Sequence, residues 1–268
     1  MASRKEQKEQ ARQRRLAEEQ ARAQRAARMR RLQMLGGVVV AAVIVIVVAI
    51  VVSSGSGNVP PPPKPNSARA RAAAAKVTKL LAGIPQHGNV LGSPTAPVTM
   101  TEFGDLVCPI CKVFALGGES QLIANEVRAG KVKLVYRALE TASGRANNSM
   151  FVPSQVAARA AGLQQREWNY IELFYYEQGD ESSSYVTDTY LNNLAVQIPG
   201  LSFSKWSSDR QSSTLSTDVS ADAQAYQALG AGQPSTPTIT FKGPKAQSQP
   251  VAGALDYSQL ESLIKQVS

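Results

Sequence analysis

The sequence is poor in the side chains that bind transition metals, with two cysteines and one histidine in 268 residues. A zinc site needs about four ligands, and His87 lies 21 residues before the first cysteine. His87 stands between Gln86 and Gly88, which predicts a surface loop position rather than a ligand. The composition therefore argues against a metal centre, and we expect no cofactor.

The two cysteines are three residues apart, in Cys108-Pro109-Ile110-Cys111. The alternating segment before them predicts a strand over 97–104, and the segment after them predicts a helix over 108–128. A C-x-x-C pair where a strand passes into a helix is typical of a dithiol redox site. A purely structural disulfide is the weaker interpretation, because a bridge across so small a loop constrains the unfolded chain little.

The predicted helix start assigns different tasks to the two thiols. Cys108 falls at the N-cap and Pro109 at the first helical position, where proline is favoured. The partial positive charge of a helix N-terminus lowers the pKa of a thiol placed there. We therefore expect Cys108 to be the exposed nucleophile and Cys111 to be the more buried, resolving thiol.

Two further segments are candidate parts of the site. Val98, Met100 and Glu102 share one face of the predicted strand, so Glu102 is expected to be buried with a raised pKa, able to exchange protons with a thiol. A partly exposed glutamate at the strand end is the alternative. In Ser235-Thr236-Pro237-Thr238, proline precedes a β-branched strand, and a cis Thr236-Pro237 bond there would be a deliberate feature.

The net charge of +9 is concentrated at the N-terminus. Residues 1–33 carry a net charge of +7, and the 19 residues 34–52 carry no charge. A helix of that length spans roughly 28 Å, about a bilayer core. We predict a basic cytoplasmic segment (1–33) and a transmembrane signal anchor (34–52), with the rest of the chain extracytoplasmic. A cleaved signal peptide is the alternative, and nucleic-acid binding by the basic segment is disfavoured.

Beyond the anchor, the sequence predicts a Pro-rich linker (53–66) and one domain (67–268). Its remaining predicted helices are 67–82, 152–165, 167–178, 186–197, 217–228 and 257–267, and its remaining strands are 132–138, 238–242 and 248–252. The aromatic group Trp168, Tyr170, Phe174, Tyr175 and Tyr176 is predicted to pack in the core rather than line a substrate groove.

An ordered set of motifs runs through the domain: Gly83-Ile84-Pro85-Gln86-His87-Gly88-Asn89, Leu91-Gly92, Ala96-Pro97-Val98-Thr99, Glu102-Phe103-x-Asp105-Leu106-x-Cys108-Pro109-x-Cys111-x-x-Phe114, Val132-Lys133-Leu134-Val135-Tyr136-Arg137, Ala157 to Ala161 with Gln164 and Trp168, and Thr236-Pro237-Thr238. Over roughly residues 78–268 this set resembles the DsbA-like thiol-disulfide oxidoreductases. The resemblance implies an α/β fold: a thioredoxin-like mixed sheet with an inserted helical subdomain (about 145–230), here preceded by one transmembrane helix.

The resemblance also implies the roles of the site residues. Cys108 would form a mixed disulfide with a substrate cysteine and Cys111 would resolve it. Glu102 would move protons, and the Thr236-Pro237 loop would present backbone to the substrate. The expected partners are extracytoplasmic proteins with cysteines, and either a quinone-linked membrane protein that reoxidises the site or a transmembrane electron donor.

Two residues depart from the strongest oxidants of that family. Ile110 stands where those enzymes carry a histidine that helps hold the thiolate, and Thr236 stands where many oxidases carry valine. Oxidase, isomerase and reductase therefore all remain open. A tethered binding or chaperone module with a structural disulfide is the non-enzymatic alternative.

Overall fold

The computed structural model describes residue 64 and residues 66–145 and 150–268. The predicted basic segment (1–33), the predicted anchor (34–52) and nearly all of the linker lie outside the described residues, so they stay predictions. Within the described part of the chain, none of the helices combines the length and the apolar character needed to cross a membrane.

A six-stranded mixed sheet forms the centre of the fold, in the order β1-β2-β4-β3-β5-β6. Its central strand, β3, pairs in parallel with β4 and antiparallel with β5. The strands are β1 (Gln86–His87), β2 (Val90–Leu91), β3 (Val98–Gly104), β4 (Val132–Ala138), β5 (Thr238–Lys242) and β6 (Val251–Ala252). Alternation of apolar residues, visible in both β3 and β4, predicted these two central strands within one residue.

Nine helices are described around this sheet: α1 (Ala68–Leu81), α2 (residues 109–127), α3 (Ala142–Arg145), α4 (Phe151–Gly162), α5 (Glu167–Glu177), α6 (Asp188–Ala195), α7 (Phe203–Asp209), α8 (Ser213–Gln227) and α9 (Tyr257–Val267). Helix α2 begins as Pro109–Phe114 and continues through two π-helical turns, Ala115–Glu119 and Ile123–Val127. Asp256 and Gln259 form a capping box at the start of α9, which explains why this helix begins where its apolar stripe predicted.

Helices α3 to α8 lie between β4 and β5 in the chain, so the predicted mixed sheet with a helical insertion is confirmed. Buried aromatic residues attach the insertion to the rest of the domain. The Trp168 indole donates across this boundary to the Asn89 carbonyl at 3.1 Å, and within the insertion the Trp206 indole donates to the Ala157 carbonyl at 2.8 Å. Trp168, Tyr170, Phe174 and Tyr175 are fully buried, which confirms their predicted core position.

Several short elements differ from the prediction. His87 is exposed, but it lies in strand β1 and not in a loop. The hairpin of β1 and β2 and the helix α7 were missed, because two-residue strands and a seven-residue polar helix carry too few residues to show a period. Helix α8 begins at Ser213 rather than at 217, and β6 is shorter than the predicted 248–252.

Candidate active site

The dithiol lies where β3 passes into α2. Cys108 is the N-cap of α2 and Pro109 is its first residue, as predicted. The Cys108 amide donates to the Asp105 carbonyl at 2.9 Å, and the Lys112 amide donates to the Cys108 carbonyl at 3.2 Å. The Cys108 side chain makes no capping hydrogen bond.

The prediction that Cys108 is exposed is wrong, because only 6% of the residue is accessible to solvent. The loop before β5 covers the sulfur, and the Cys108 thiol donates to the Thr236 carbonyl at 3.5 Å. Cys111 is fully buried, and both cysteines are free thiols in this structure.

The surroundings of the two sulfurs separate their pKa values. A hydrogen bond with the Cys111 side chain lowers the pKa of Cys108 to about 7 against the opposing effect of burial, and bonds with Thr236 and the Ile110 backbone add to the shift. Burial and the hydrogen bond with Cys108 raise the pKa of Cys111 well above its usual range. Near neutral pH the site therefore holds its thiolate at Cys108 and its proton at Cys111.

The second predicted segment lies directly against the first. The Thr236–Pro237 peptide bond is cis, as predicted, and both residues are buried. The hydroxyl groups of Thr236 and Thr141 are hydrogen-bonded to each other, so the loop is tied to the segment that follows β4. The Ile110 side chain is half-buried against the core and contributes an apolar surface beside the dithiol.

Glu102 lies on the face of β3 that its alternation predicted, and it is fully buried. Burial raises the pKa of Glu102 well above its usual range, and the neighbouring Glu119 raises it further. The charge of Glu102 in turn contributes to the raised pKa of Cys111. The structure thus brings Glu102 close to the buried thiol, while its role in the chemistry stays a prediction.

Asp105 belongs to the motif that carries the resemblance, but the sequence analysis gave it no role in the site. Its buried carboxylate accepts from the amides of Val107 at 3.0 Å, Thr141 at 2.9 Å and Ser143 at 3.0 Å, and from the Ser143 hydroxyl at 2.7 Å. An aspartate that accepts from the amide two residues later is a recognised turn motif. The position of Asp105, three residues before the predicted N-cap, was therefore a usable signal.

Gln178 is a second missed residue, and no local pattern pointed to it. It lies at the end of α5, and its side-chain amide donates to the carbonyls of Leu106 at 2.8 Å and Cys108 at 3.1 Å. These bonds join the helical insertion to the turn that carries the dithiol. The partners are about 70 residues apart in the chain, so only the tertiary structure shows the contact.

Comparison with protein families shows that residues 86–266 match a family model described as "Thioredoxin". Among characterised proteins, the chain is 26% identical over 183 residues to "Disulfide bond formation protein D" of Bacillus subtilis strain 168, covering 66% of this chain and 75% of that protein. It is 25% identical over 147 residues to a "Probable disulfide bond formation protein D" of Bacillus cereus, covering 52% of this chain and 63% of that protein.

Solved structures with low sequence identity share the fold. Oxidised BdbD from Bacillus subtilis superposes with a TM-score of 0.56 at 22% identity, covering 68% of this chain and 96% of that one. The α-DsbA1 of Wolbachia pipientis superposes with a TM-score of 0.55 at 15% identity, covering 70% of this chain and 92% of that one. These likenesses confirm the predicted thioredoxin-like fold with a helical insertion.

Proposed function

We infer the function from the premise that this chain belongs to the thioredoxin family, whose model its residues 86–266 match. Homology with disulfide bond formation protein D confirms the predicted enzyme class, a protein thiol-disulfide oxidoreductase. We propose that the reaction takes place at Cys108 and Cys111 and that it forms disulfides in extracytoplasmic proteins.

The separation of the two pKa values is the observation that carries this proposal. In the oxidised enzyme, a substrate thiolate attacks the Cys108 sulfur, and Cys111 leaves as a thiolate that then takes up a proton. A second thiolate of the substrate then attacks the substrate sulfur that is bonded to Cys108 in the mixed disulfide. This releases Cys108, whose pKa of about 7 makes it a good leaving group near neutral pH. The substrate becomes a disulfide, and the enzyme becomes a dithiol.

The supporting residues act on Cys108 and on the substrate chain. Pro109 starts the helix whose end stabilises the thiolate, and Ile110 offers an apolar surface without a donor. The Thr236-Pro237 loop lies against the Cys108 sulfur, where its backbone can align a substrate strand. Glu102 exchanges protons with Cys111.

Location and reoxidation are part of the same proposal. Residues 34–52 anchor the enzyme in the membrane with the basic segment in the cytoplasm, which places the dithiol outside, where disulfides persist. A quinone-linked membrane protein would reoxidise the dithiol. A reporter fused after Ser268 is expected to behave as extracytoplasmic, whereas a soluble form starting near residue 54 would show a cleaved signal.

Trapping of substrates tests the assignment of the two cysteines. In the Cys111→Ala variant, mixed disulfides with extracytoplasmic proteins are expected to accumulate, because nothing resolves them. In Cys108→Ala they should be scarce, since the remaining thiol is fully buried and its pKa is raised. Equal trapping by both variants would contradict the assigned roles, and no trapping by either would favour a structural disulfide in a binding module.

The pKa of Cys108 also supports a second candidate function, that of a disulfide isomerase or reductase. A pKa of about 7 for Cys108 is near that of thioredoxin and well above the roughly 3.5 of the strong oxidant DsbA. The redox potential of the dithiol separates these functions. A value near that of strong oxidants, about −120 mV, would favour the oxidase, and a value near about −270 mV would favour the reductase.

A further inference from the structure

Three glutamates from three different elements meet behind the dithiol. Glu102 comes from β3, Glu119 from the first π-helical turn of α2 and Glu172 from the middle of α5. All three are fully buried. We call them the carboxyl cluster. Only Glu102 was singled out from the sequence, and the other two have no part in the mechanism described so far.

The carboxyl cluster lacks hydrogen-bond donors. None of its six carboxyl oxygens has a hydrogen-bond partner among the described residues. The buried Tyr175 hydroxyl, whose pKa responds to the charges of Glu102 and Glu119, also has none. Unpaired charge in such a site is strongly destabilising, so the cluster is stable only if it holds protons. A proton on Glu102 supplies the missing donor, which then bonds Glu119.

The pKa values of the three groups agree with this proton content. Burial raises the pKa of Glu102 and of Glu172 well above the usual range, and the charge of Glu119 raises both further. Burial raises the pKa of Glu119 to about 7, although its bond with Glu102 lowers it. Neighbouring carboxyl groups titrate as a unit, so the cluster gains or loses protons near neutral pH.

The carboxyl cluster faces the reacting sulfurs on one side and approaches the surface on the other. The titratable groups that face Glu102 are Cys108, Cys111, Glu119, Tyr136, Glu172 and Tyr175. On the far side, Glu172 lies one helical turn before the partly exposed Tyr176, whose pKa its charge raises after the larger effect of burial. The cluster thus extends from the buried thiol towards solvent.

Gly104 allows Tyr136 to pack closely against the backbone beside Glu102. A Cβ atom at this position would lie 2.7 Å from the Tyr136 ring, 3.1 Å from the Tyr136 hydroxyl and 3.1 Å from Glu102 Oε1. The Tyr136 hydroxyl accepts from the Gln155 amide at 3.3 Å. A side chain at 104 would therefore displace the tyrosine that packs beside Glu102.

We propose that the carboxyl cluster is a shared proton store for Cys111, in which Glu119 and Glu172 are positioning residues that act through Glu102. The inference rests on the proposed function. When a substrate thiolate bonds to Cys108 and the Cys108–Cys111 bond breaks, Cys111 leaves with the electron pair. Glu102 gives this thiolate its proton and becomes a carboxylate, and the cluster regains a proton from solvent. Resolution by Cys111 runs the same transfer in reverse.

A bound cation is the competing explanation of three unpaired carboxyl groups. Among the residues that the structure describes, no three or more side chains are arranged to hold a metal ion. Glu119 and Glu172 would also have no reason to shift the pH dependence of the dithiol if they were only structural. A test must therefore follow protons and measure metal binding as well.

The test compares Glu119→Gln and Glu172→Gln with Glu126→Gln. Glu126 lies further along α2, where it pairs with Lys131 at 3.1 Å and accepts from Tyr257, away from the dithiol. The rate at which dithiothreitol reduces the oxidised enzyme is measured against pH. For Glu119→Gln we expect a rate about tenfold lower near neutral pH and a midpoint displaced to lower pH, because Glu102 loses a raising charge. We expect a smaller effect for Glu172→Gln and less than about twofold for the control.

A double variant tests whether the glutamates act as one unit. Glu119→Gln combined with Glu172→Gln should lose little more than the larger single loss, because the two act through the same transfer. If the rate losses of the two single variants multiply in the double variant, the two glutamates act independently, and the proposal of a shared proton store is wrong. Single variants whose pH profiles match that of Glu126→Gln would also overturn it. Trapping by Cys111→Ala under the same conditions shows independently whether the proposed function holds.

Infrared spectroscopy of the unmodified enzyme tests the proposal without depending on whether a variant folds. The difference spectrum between reduced and oxidised enzyme should contain a change in the carbonyl band of protonated carboxyl groups. This change should weaken in Glu119→Gln and persist in Glu126→Gln. Absence of any such change in the unmodified chain would overturn the proposal, as would stoichiometric binding of calcium or zinc that removes the pH dependence.

Discussion

Two groups of buried charges in this domain are organised in opposite ways. In the first, Arg159 donates to Glu167 at 2.9 Å and to Asp222 at 2.6 Å, and Arg137 donates to Asp222 at 2.9 Å. We call Arg159, Glu167 and Asp222 the ion-pair cluster. In the second, the carboxyl cluster, three glutamates have neither a cation nor a hydrogen-bond donor in the part of the chain that the structure describes. Each cluster includes acidic residues of the helical insertion, but only the carboxyl cluster lies beside the dithiol.

The comparison separates charge that holds a fold together from charge that can change during a reaction. Burial lowers the pKa of Arg159, but the charges of Glu167 and Asp222 outweigh this effect and raise it. The arginines of this region therefore favour the charged form of the acids they pair with, although burial still raises the pKa of Glu167 to about 7. Among the described residues the carboxyl cluster has no cation, so its charge depends on its protons, and under the proposed function a reaction at Cys111 changes that charge.

Removing Arg159 should have the largest effect on stability. We expect Arg159→Met to lower the free energy of unfolding by about 3–5 kcal/mol, because it leaves the buried Glu167 without its cation and takes one of two arginine partners from Asp222. Arg137→Met is the matched control, since the Arg137 side chain is 38% exposed and its pair should contribute less than about 1 kcal/mol. Urea unfolding of both variants measures the difference, and equal losses would contradict the comparison.

Arg159→Met should also leave Glu167 as a buried carboxyl group without a cation, as in the carboxyl cluster, so that its charge depends on its proton. Burial already raises the pKa of Glu167 to about 7 although Arg159 lowers it. Without the arginine this pKa rises further, so Glu167 binds its proton more tightly in the folded than in the unfolded state. The variant should therefore lose additional stability, relative to the wild type, as the pH rises through about 7 and above, where the wild-type Glu167 ionises and the variant's does not. A loss that does not depend on pH would contradict this account.

Neutralising the carboxyl cluster should stabilise the protein by a smaller amount. The pKa of Glu119 rises from 4.5 to about 7 on folding, so its folded-state proton stabilises the protein at low pH and this contribution fades as the pH rises between these values. At about pH 8 we expect Glu119→Gln to increase the free energy of unfolding by about 1–3 kcal/mol. The gain should disappear below about pH 4.5 and should be absent from Glu126→Gln.

A polar side chain at position 110 tests how the surroundings of Cys108 set the pKa of its thiol. Of the changes discussed, this one should have the smallest effect. Ile110→His should lower the pKa of Cys108 by about one unit and make the disulfide more oxidising, because the imidazole can donate to the thiolate. Thiolate absorbance during a pH titration and equilibration with glutathione measure the two quantities. If neither changes, our account of Ile110 is wrong.

The sequence predicted the parts of the site that follow local rules. Strand alternation located Glu102, and helix-start chemistry located Cys108 and Pro109. Glu119 could have been found in the same way, since Cys111, Ala115 and Glu119 follow the four-residue spacing of one buried helix face. The same local reasoning overestimated the exposure of Cys108, because the covering loop is 128 residues further along the chain.

Glu172 could not have been predicted, and the reason is physical. Helix α5 is buried on nearly all sides, so its sequence has no polar face that would orient a charged residue. The contacts that give Glu172 its neighbours join three elements from distant parts of the chain. Periodicity reports which face of an element is buried, but it does not report which other side chains that face meets.

The bonds of Gln178 have a consequence for how this domain can be divided. A chain engineered without the inserted helices would retain every residue of the sheet and both cysteines. It would nevertheless remove the amide that donates to the carbonyls of Leu106 and Cys108. In the turn that presents the dithiol, these two backbone carbonyls would then each lose one hydrogen-bond donor. The insertion is therefore a structural support of the redox turn, and the smallest portable unit of this enzyme includes it.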